Sequence, residues 1–211
     1  MGKLVIFDLD GTLADTSEGI LNSHRHAHLA MGRPVPPEDV LCSVIGGPLL
    51  ETYRTVFKFP DAEAVEAVRI YRAWYAEHGI HQARLYPGME AVLDSLNEHG
   101  FCVGIATLKA EKFAKTMMEE MGIATKFHMI CGMNSGDTLS KADLIRKCIS
   151  IAGTAPEATC MVGDSVHDFK GAQECNVSFV GVQYGFGFHD NREYPFPLCD
   201  TCEQILNQIH L

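Results

Sequence analysis

Five short apolar runs punctuate the chain, at Leu4–Phe7, Cys102–Ala106, Phe127–Cys131, Cys160–Val162 and Phe179–Val182. Each stops at small, polar or turn-forming residues, and none alternates cleanly between apolar and polar positions. That pattern predicts strands buried on both faces, as in a parallel sheet. Between the runs, Glu90–His99, Ala110–Met121 and Ala142–Ala152 repeat their apolar residues at helical spacing. Strands alternating with helices predict right-handed βαβ crossovers, hence an α/β fold with a Rossmann-like, doubly wound parallel sheet.

One connection breaks the rhythm. Between residues 15 and 84 no apolar run reads as a core strand, and helical patterning is interrupted at Gly32–Pro37 and Gly46–Pro48. A crossover needs little more than a dozen residues, so roughly seventy imply an inserted α-helical cap domain. The expected division is a core of residues 1–14 and 85–211 and a cap of residues 15–84, with Tyr86-Pro87-Gly88 turning the chain back into the core.

Composition adds exclusions. Hydrophobic residues are 46% and charged residues 21%, values of a globular protein, and the formal net charge is −10. An acidic chain is not built to bind nucleic acid broadly, and acting on phosphate esters it would need a cation at its site. The apolar run at Leu4–Phe7 is too short for a signal-peptide core or a membrane span, so a cytoplasmic protein without membrane attachment is expected. Cys102, Cys131 and Cys160 read as small buried hydrophobes. Cys199 and Cys202 form a lone CxxC, and Thr201 with Gln204 fits a capping box that would open a last helix.

Candidate chemistry gathers at the strand ends. The first strand runs into Asp8-Leu9-Asp10-Gly11-Thr12-Leu13-Ala14-Asp15, and ligands of open α/β sheets bind outside the carboxyl ends of the strands. Two acids two residues apart can converge on one ligand while Gly11 lets the backbone turn; an Asx-turn with a capping aspartate is the bland alternative. Thr107 follows the second run, Lys141 opens the helix after the third, and Gly163-Asp164-Ser165-Val166-His167-Asp168 follows the fourth. Each has an ordinary structural reading; together, at successive strand ends, they define a site.

Asp8 to Thr16, Thr107, Lys141 and the Gly163–Asp168 stretch resemble the four motifs of the haloacid dehalogenase superfamily, in order and over essentially the whole chain. The inserted segment is similar to the helical cap of the branch holding phosphoglycolate phosphatases, pyrophosphatases and β-phosphoglucomutases. Ile45–Leu49 and Tyr184-Gly185-Phe186-Gly187 look most like its phosphatases. The resemblance implies a Mg2+-dependent phosphatase acting on a small phosphorylated metabolite, phosphoglycolate-like, as a monomer or homodimer. Asp8 would be the nucleophile that forms an aspartyl-phosphate, and Asp10 the general acid and base. Thr107 and Lys141 would hold the phosphoryl oxygens. The metal ligands would be Asp8, the Asp10 backbone carbonyl and Asp164, with Asp168 orienting Lys141 or a metal-bound water. Gly11, Leu108, Lys109, Gly46 and Gly47 are candidate substrate contacts, although a solvated side chain is the simpler expectation for Lys109. Asp15, Glu18, His24 and Arg25 are cap positions where specificity could lie.

Departures are few: Ala142 stands where many relatives carry proline, and Leu108 where a polar residue is common. Alternatives on the same catalytic set are an inorganic pyrophosphatase and a sugar phosphomutase, the latter disfavoured by Val44-Ile45-Gly46-Gly47-Pro48 in the cap loop. A non-catalytic, phospho-ligand-binding regulator would be expected to have lost motif residues. Of His24, His26 and His28, only His24 and His28 share a helix face, and they read as a cap-surface pair. Trp74 and Tyr75 read as packing in a cap helix.

Overall fold

The computed structural model describes residues 3–188 and 193–209. They fall into two compact units, Met1–Asp15 with Leu85–Leu211 and Thr16–Arg84. In the first unit β1 (Leu4–Phe7) leads to the two-residue β2 (Ala14–Asp15). The second unit holds α1 (Ser17–Ala30), α2 (Glu38–Cys42), α3 (Leu49–Thr55) and α4 (Asp61–Glu77). The chain returns through β3 (Arg84–Leu85). It continues with α5 (Met89–Glu98), β4 (Cys102–Ala110), α6 (Glu111–Glu120), β5 (Met129–Met133) and α7 (Lys141–Ala152). Then come β6 (Thr159–Gly163), α8 (Val166–Cys175), β7 (Ser178–Val182), β8 (Leu198–Cys199) and α9 (Gln204–Gln208).

The main sheet is parallel, in the order β5-β4-β1-β6-β7-β8, so the predicted α/β, Rossmann-like class is the observed one. Strand order reverses on either side of β1, which opens a crevice at its carboxyl end. Leu4 and Ile6 point to a core shared with Ala142, Leu144, Ile145 and Cys148 of α7 and Ala172 and Cys175 of α8. Val5 and Phe7 alternate to the other face. All four strand residues are fully buried, which is why the run carries no polar positions.

Two expectations need correction here. The second strand does not stop at Ala106 but runs to Ala110, with its register to β5 shifting between Thr107 and Ala110. The capping box expected on Thr201 and Gln204 does not open α9, because the helix begins at Gln204 itself; the Gln204 carboxamide oxygen instead accepts from the Asp200 amide at 2.8 Å. The short edge strand β8 had no sequence signal. No helix among the described residues is long and apolar enough to cross a membrane.

The second unit corrects the reading of its histidines. His24 and His28 are not on the surface: they are 1% and 2% exposed. The rings of Tyr53, Phe57 and Tyr71 surround His24, and those of Tyr53, Phe57 and Phe59 surround His28. His24 Nδ1 lies 3.2 Å from the Tyr53 hydroxyl, and His28 Nδ1 lies 2.9 Å from the His24 carbonyl. The face shared by residues four apart is thus the packing face of α1, and a neutral imidazole serves as an aromatic wall with one satisfied nitrogen. Arg25 also turns to structure, pairing with Glu38 and donating to Asn22 at 2.9 Å.

Burial, reinforced by His28, lowers the His24 pKa from 6.5 to about 3. Between those values the unfolded chain binds a proton that the folded one refuses. Stability is therefore intact above pH 6.5 and lost as pH falls through that window. From pH 7 to pH 5, His24 should cost the fold about 2 kcal/mol. Urea midpoints at both pH values for wild type and His24→Gln test this, since glutamine keeps a hydrogen-bonding group and does not titrate. Equal losses in the two proteins would remove His24 as the cause.

Candidate active site

The site is built by the segments after β1 and β6, by the far end of β4 and by the start of α7. After Phe7 the ladder continues one bond further, with the Asp8 amide donating to Val162 O at 2.9 Å. The chain then folds back on itself, as Leu13 N donates to Leu9 O at 3.0 Å and Gly11 N to Ala14 O at 2.9 Å. Gly11 sits at φ +81°, and a Cβ there would run into the Asp164 carboxylate and come within 2.7 Å of the Phe186 ring. Only glycine meets both demands.

Asp8, Asp10, Asp164, Asp168, Thr107 and Lys141 are all buried. The Lys141 ammonium lies 2.8 Å from Asp8 Oδ1 and 2.7 Å from Asp168 Oδ1, and donates to Ala106 O at 3.0 Å. Its helix start is secured without proline: Ser140 and Asp143 form a reciprocal capping box, so Ala142 leaves α7 well begun. Gly171 of α8 makes room for the lysine stem, since a Cβ there would stand 2.8 Å from Lys141 Cγ. Asp168 divides its carboxylate. Oδ1 faces Lys141, while Oδ2 accepts from Ser165 N at 3.0 Å and Ser165 Oγ at 2.6 Å as the capping box of α8.

Asp164 is held by Thr12 and by the loop at Tyr184–Gly187. The Phe186 amide donates to its Oδ2 at 2.7 Å and the Thr12 hydroxyl to its Oδ1 at 3.4 Å, while Tyr184 Oη donates to the Thr12 carbonyl at 3.0 Å. The run Tyr184-Gly185-Phe186-Gly187 was the visible signal. Its glycines let the loop lie against Asp164, where a Cβ on Gly185 would come within 2.6 Å of Asp164 Oδ2.

Lys109 corrects the expectation of a solvated lysine. Its side chain is 7% exposed and its ammonium lies 3.0 Å from Asp10 Oδ1, which is equally buried. Thr107 stands within β4 rather than beyond its end, and its hydroxyl oxygen accepts from Lys109 N at 3.1 Å. Leu108 packs against the core beside α7 and α8. Gly46 and Gly47 lie half-buried in the turn between α2 and α3 of the second unit, Gly46 at φ +78°. His167 is exposed.

Asp8, Asp164 and Asp168 each offer a carboxylate oxygen, and these oxygens lie within 4.8 Å of one another. Burial, then Asp168, pushes the Asp8 carboxyl up to about 7 against the pull of Lys141. Burial, then Asp168 and Asp8, pushes Asp164 well above its usual range. For Lys141, burial works against the charge, but Asp168 and Asp8 prevail and raise it. Ionised together, three carboxylates against one ammonium would carry a surplus of two negative charges in a buried cluster, and the raised Asp8 and Asp164 carboxyls reflect the cost of assembling it. Hard oxygen donors with that surplus fit a divalent cation.

Comparison with known proteins agrees with this architecture. The model of the haloacid dehalogenase-like hydrolase family matches residues 5–182. The chain is 38% identical over 189 residues to the tyrosine-protein kinase PtkA of Mycobacterium tuberculosis, covering 89% of this chain and 64% of that protein, so it spans just under two thirds of that relative's length. It is 35% identical over 187 residues to a 5'-nucleotidase of Pseudomonas aeruginosa, covering 88% of this chain and 85% of that one. Among solved structures, a predicted phosphatase from Clostridium acetobutylicum superposes with a TM-score of 0.92 at 30% identity, covering 99% and 98% of the two chains. The chain belongs to the haloacid dehalogenase-like hydrolase family.

Proposed function

We propose that this chain is a magnesium-dependent phosphatase that hydrolyses a small phosphomonoester through an aspartyl-phosphate on Asp8. Support comes above all from the buried cluster in which Asp8 Oδ1 lies 2.8 Å from the Lys141 ammonium and shares its surroundings with Asp164 and Asp168. Asp8, the Asp10 carbonyl and Asp164 would hold the magnesium ion, which supplies positive charge between the anionic nucleophile and the phosphate dianion.

The side chains divide the remaining work. Asp8 attacks phosphorus while the bond to the leaving oxygen breaks. Asp10 gives that oxygen a proton, then takes one from the water that cleaves the acyl phosphate. Lys141 and the Thr107 hydroxyl hold phosphoryl oxygens, and with Thr107 Oγ1 accepting from the Lys109 amide, its proton is the group left to donate. Asp168 keeps Lys141 in place through the 2.7 Å ion pair. Residues 15–84 act as the cap that selects the substrate, with Gly46 and Gly47 as contacts in its loop.

Phosphate release from phosphoglycolate, pyrophosphate, nucleoside monophosphates, sugar phosphates and p-nitrophenyl phosphate, each with magnesium and with EDTA, tests the proposal. Release is expected to depend on magnesium by about a hundred-fold or more. Release that persists unchanged in EDTA removes the metal. Release from pyrophosphate alone, or phosphate exchange between sugar phosphates without release, replaces the phosphatase with a pyrophosphatase or a mutase.

A further inference from the structure

Lys109 is buried against the acid–base residue by an irregularity in the sheet. Opposite the single step from Gly132 to Met133 in β5, β4 takes three steps from Thr107 to Ala110. Leu108 and Lys109 are therefore extra residues in the ladder, and a bulge of this kind re-aims a side chain. It is tied down on both sides. Lys109 N donates to Thr107 Oγ1 at 3.1 Å, and Gly132 N donates to Glu111 Oε2 at 3.3 Å. Gly132 permits the close approach, since a Cβ there would stand 2.8 Å from the Lys109 carbonyl oxygen. The outcome is an ammonium 3.0 Å from Asp10 Oδ1, with both side chains 7% exposed.

A lysine leaving the end of a strand is ordinarily solvated, and burying it against a carboxylate gains little net stability. What such a pair does provide is a fixed rotamer. We propose that Lys109 is the positioning residue for Asp10: its ammonium binds Oδ1 and holds the carboxyl in the orientation that protonates the leaving oxygen. This rests on the acid–base role proposed above. In the step concerned, the Asp8 oxygen–phosphorus bond forms and the bond from phosphorus to the leaving oxygen breaks. The electron pair stays on that oxygen, which takes the proton of Asp10. Lys109 keeps all three of its protons throughout.

The leaving group supplies a readout that a structural role would not move. An alkoxide must be protonated as it departs, whereas p-nitrophenolate departs without help. In Lys109→Met and in Lys109→Gln, the single-turnover rate of leaving-group release, the step before aspartyl-phosphate hydrolysis, is expected to fall about thirty-fold on an alkyl phosphomonoester and less than about three-fold on p-nitrophenyl phosphate, within the range of general acid catalysis. KM for both esters should stay within about two-fold, and Lys109→Arg should recover most of the rate. Equal losses on the two esters would make Lys109 a phosphate-binding charge, and a rise in KM alone a substrate contact; either overturns the proposal, as does an unchanged rate. Asp10→Asn, measured alongside, separates the two levels. If it lacks the leaving-group preference, the acid–base role itself fails. If it has the preference and the Lys109 variants do not, only Lys109 is misassigned.

Discussion

In Asp8→Asn, phosphate release is expected to fall on the order of a thousand-fold or more, while the EDTA-treated protein becomes harder to unfold. The first effect arises because a carboxamide of the same shape cannot attack phosphorus. The second comes from the charge surplus. Burial and Asp168 push the Asp8 carboxyl from 3.8 to about 7. Above pH 3.8 the unfolded chain releases a proton that the folded chain keeps, so stability is lost as pH rises toward 7. That loss reaches up to about 4 kcal/mol, and asparagine avoids it at the expense of one partner for Lys141. A net gain of about 1–2 kcal/mol at pH 7.5 is expected in EDTA. Magnesium should narrow or reverse the difference by stabilising the wild type through binding. Urea unfolding in the two buffers decides it. A variant less stable than wild type in EDTA would mean that the Asp8 charge is already compensated.

Lys141→Met should act in the opposite sense on stability and the same sense on rate. Methionine preserves the stem beside Gly171 but removes the ammonium shared by Asp8 and Asp168, both buried. Breaking a buried pair from one side typically costs about 3–5 kcal/mol, because the remaining charge has lost its compensation. Catalysis should fall with it, since no cation on α7 faces the phosphoryl oxygens. Adding Asp8→Asn to Lys141→Met should restore part of the stability and none of the activity, an interaction between contacting sites that separate effects do not predict. A loss below about 1 kcal/mol in the single variant would show that Lys141 does not compensate the carboxylates.

The sheet was legible because the central stretches of its strands are buried and apolar; Leu4–Phe7 is observed with the bounds its apolar run implies. The breaks at Gly32–Pro37 and Gly46–Pro48 were legible too, and fall between α1 and α2 and between α2 and α3. Asp8, Asp10, Lys141, Asp164 and Asp168 stood out because charges at successive strand ends have few ordinary explanations. What stayed hidden depends on partners distant in sequence. The burial of His24 and His28 is decided by Tyr53, Phe57, Phe59 and Tyr71, none of which the spacing on α1 reveals. The burial of Lys109 depends on a bulge, and Leu108-Lys109-Ala110 carries no mark of one. Support for Asp164 comes partly from a backbone amide, at Phe186, which no side-chain pattern can encode.

Asp168 leaves the chain little room for drift. One oxygen begins a helix and the other steadies the lysine beside Asp8. Asparagine would retain an acceptor for Ser165 and forfeit the charge toward Lys141; serine could cap but not reach; glutamate would displace both oxygens together. A substitution that softens the helix start therefore disarms the reaction centre as well, and one that retunes the centre frays the helix. Changes in substrate preference have to arise elsewhere in the chain, because this position cannot be varied for one purpose without being lost for the other.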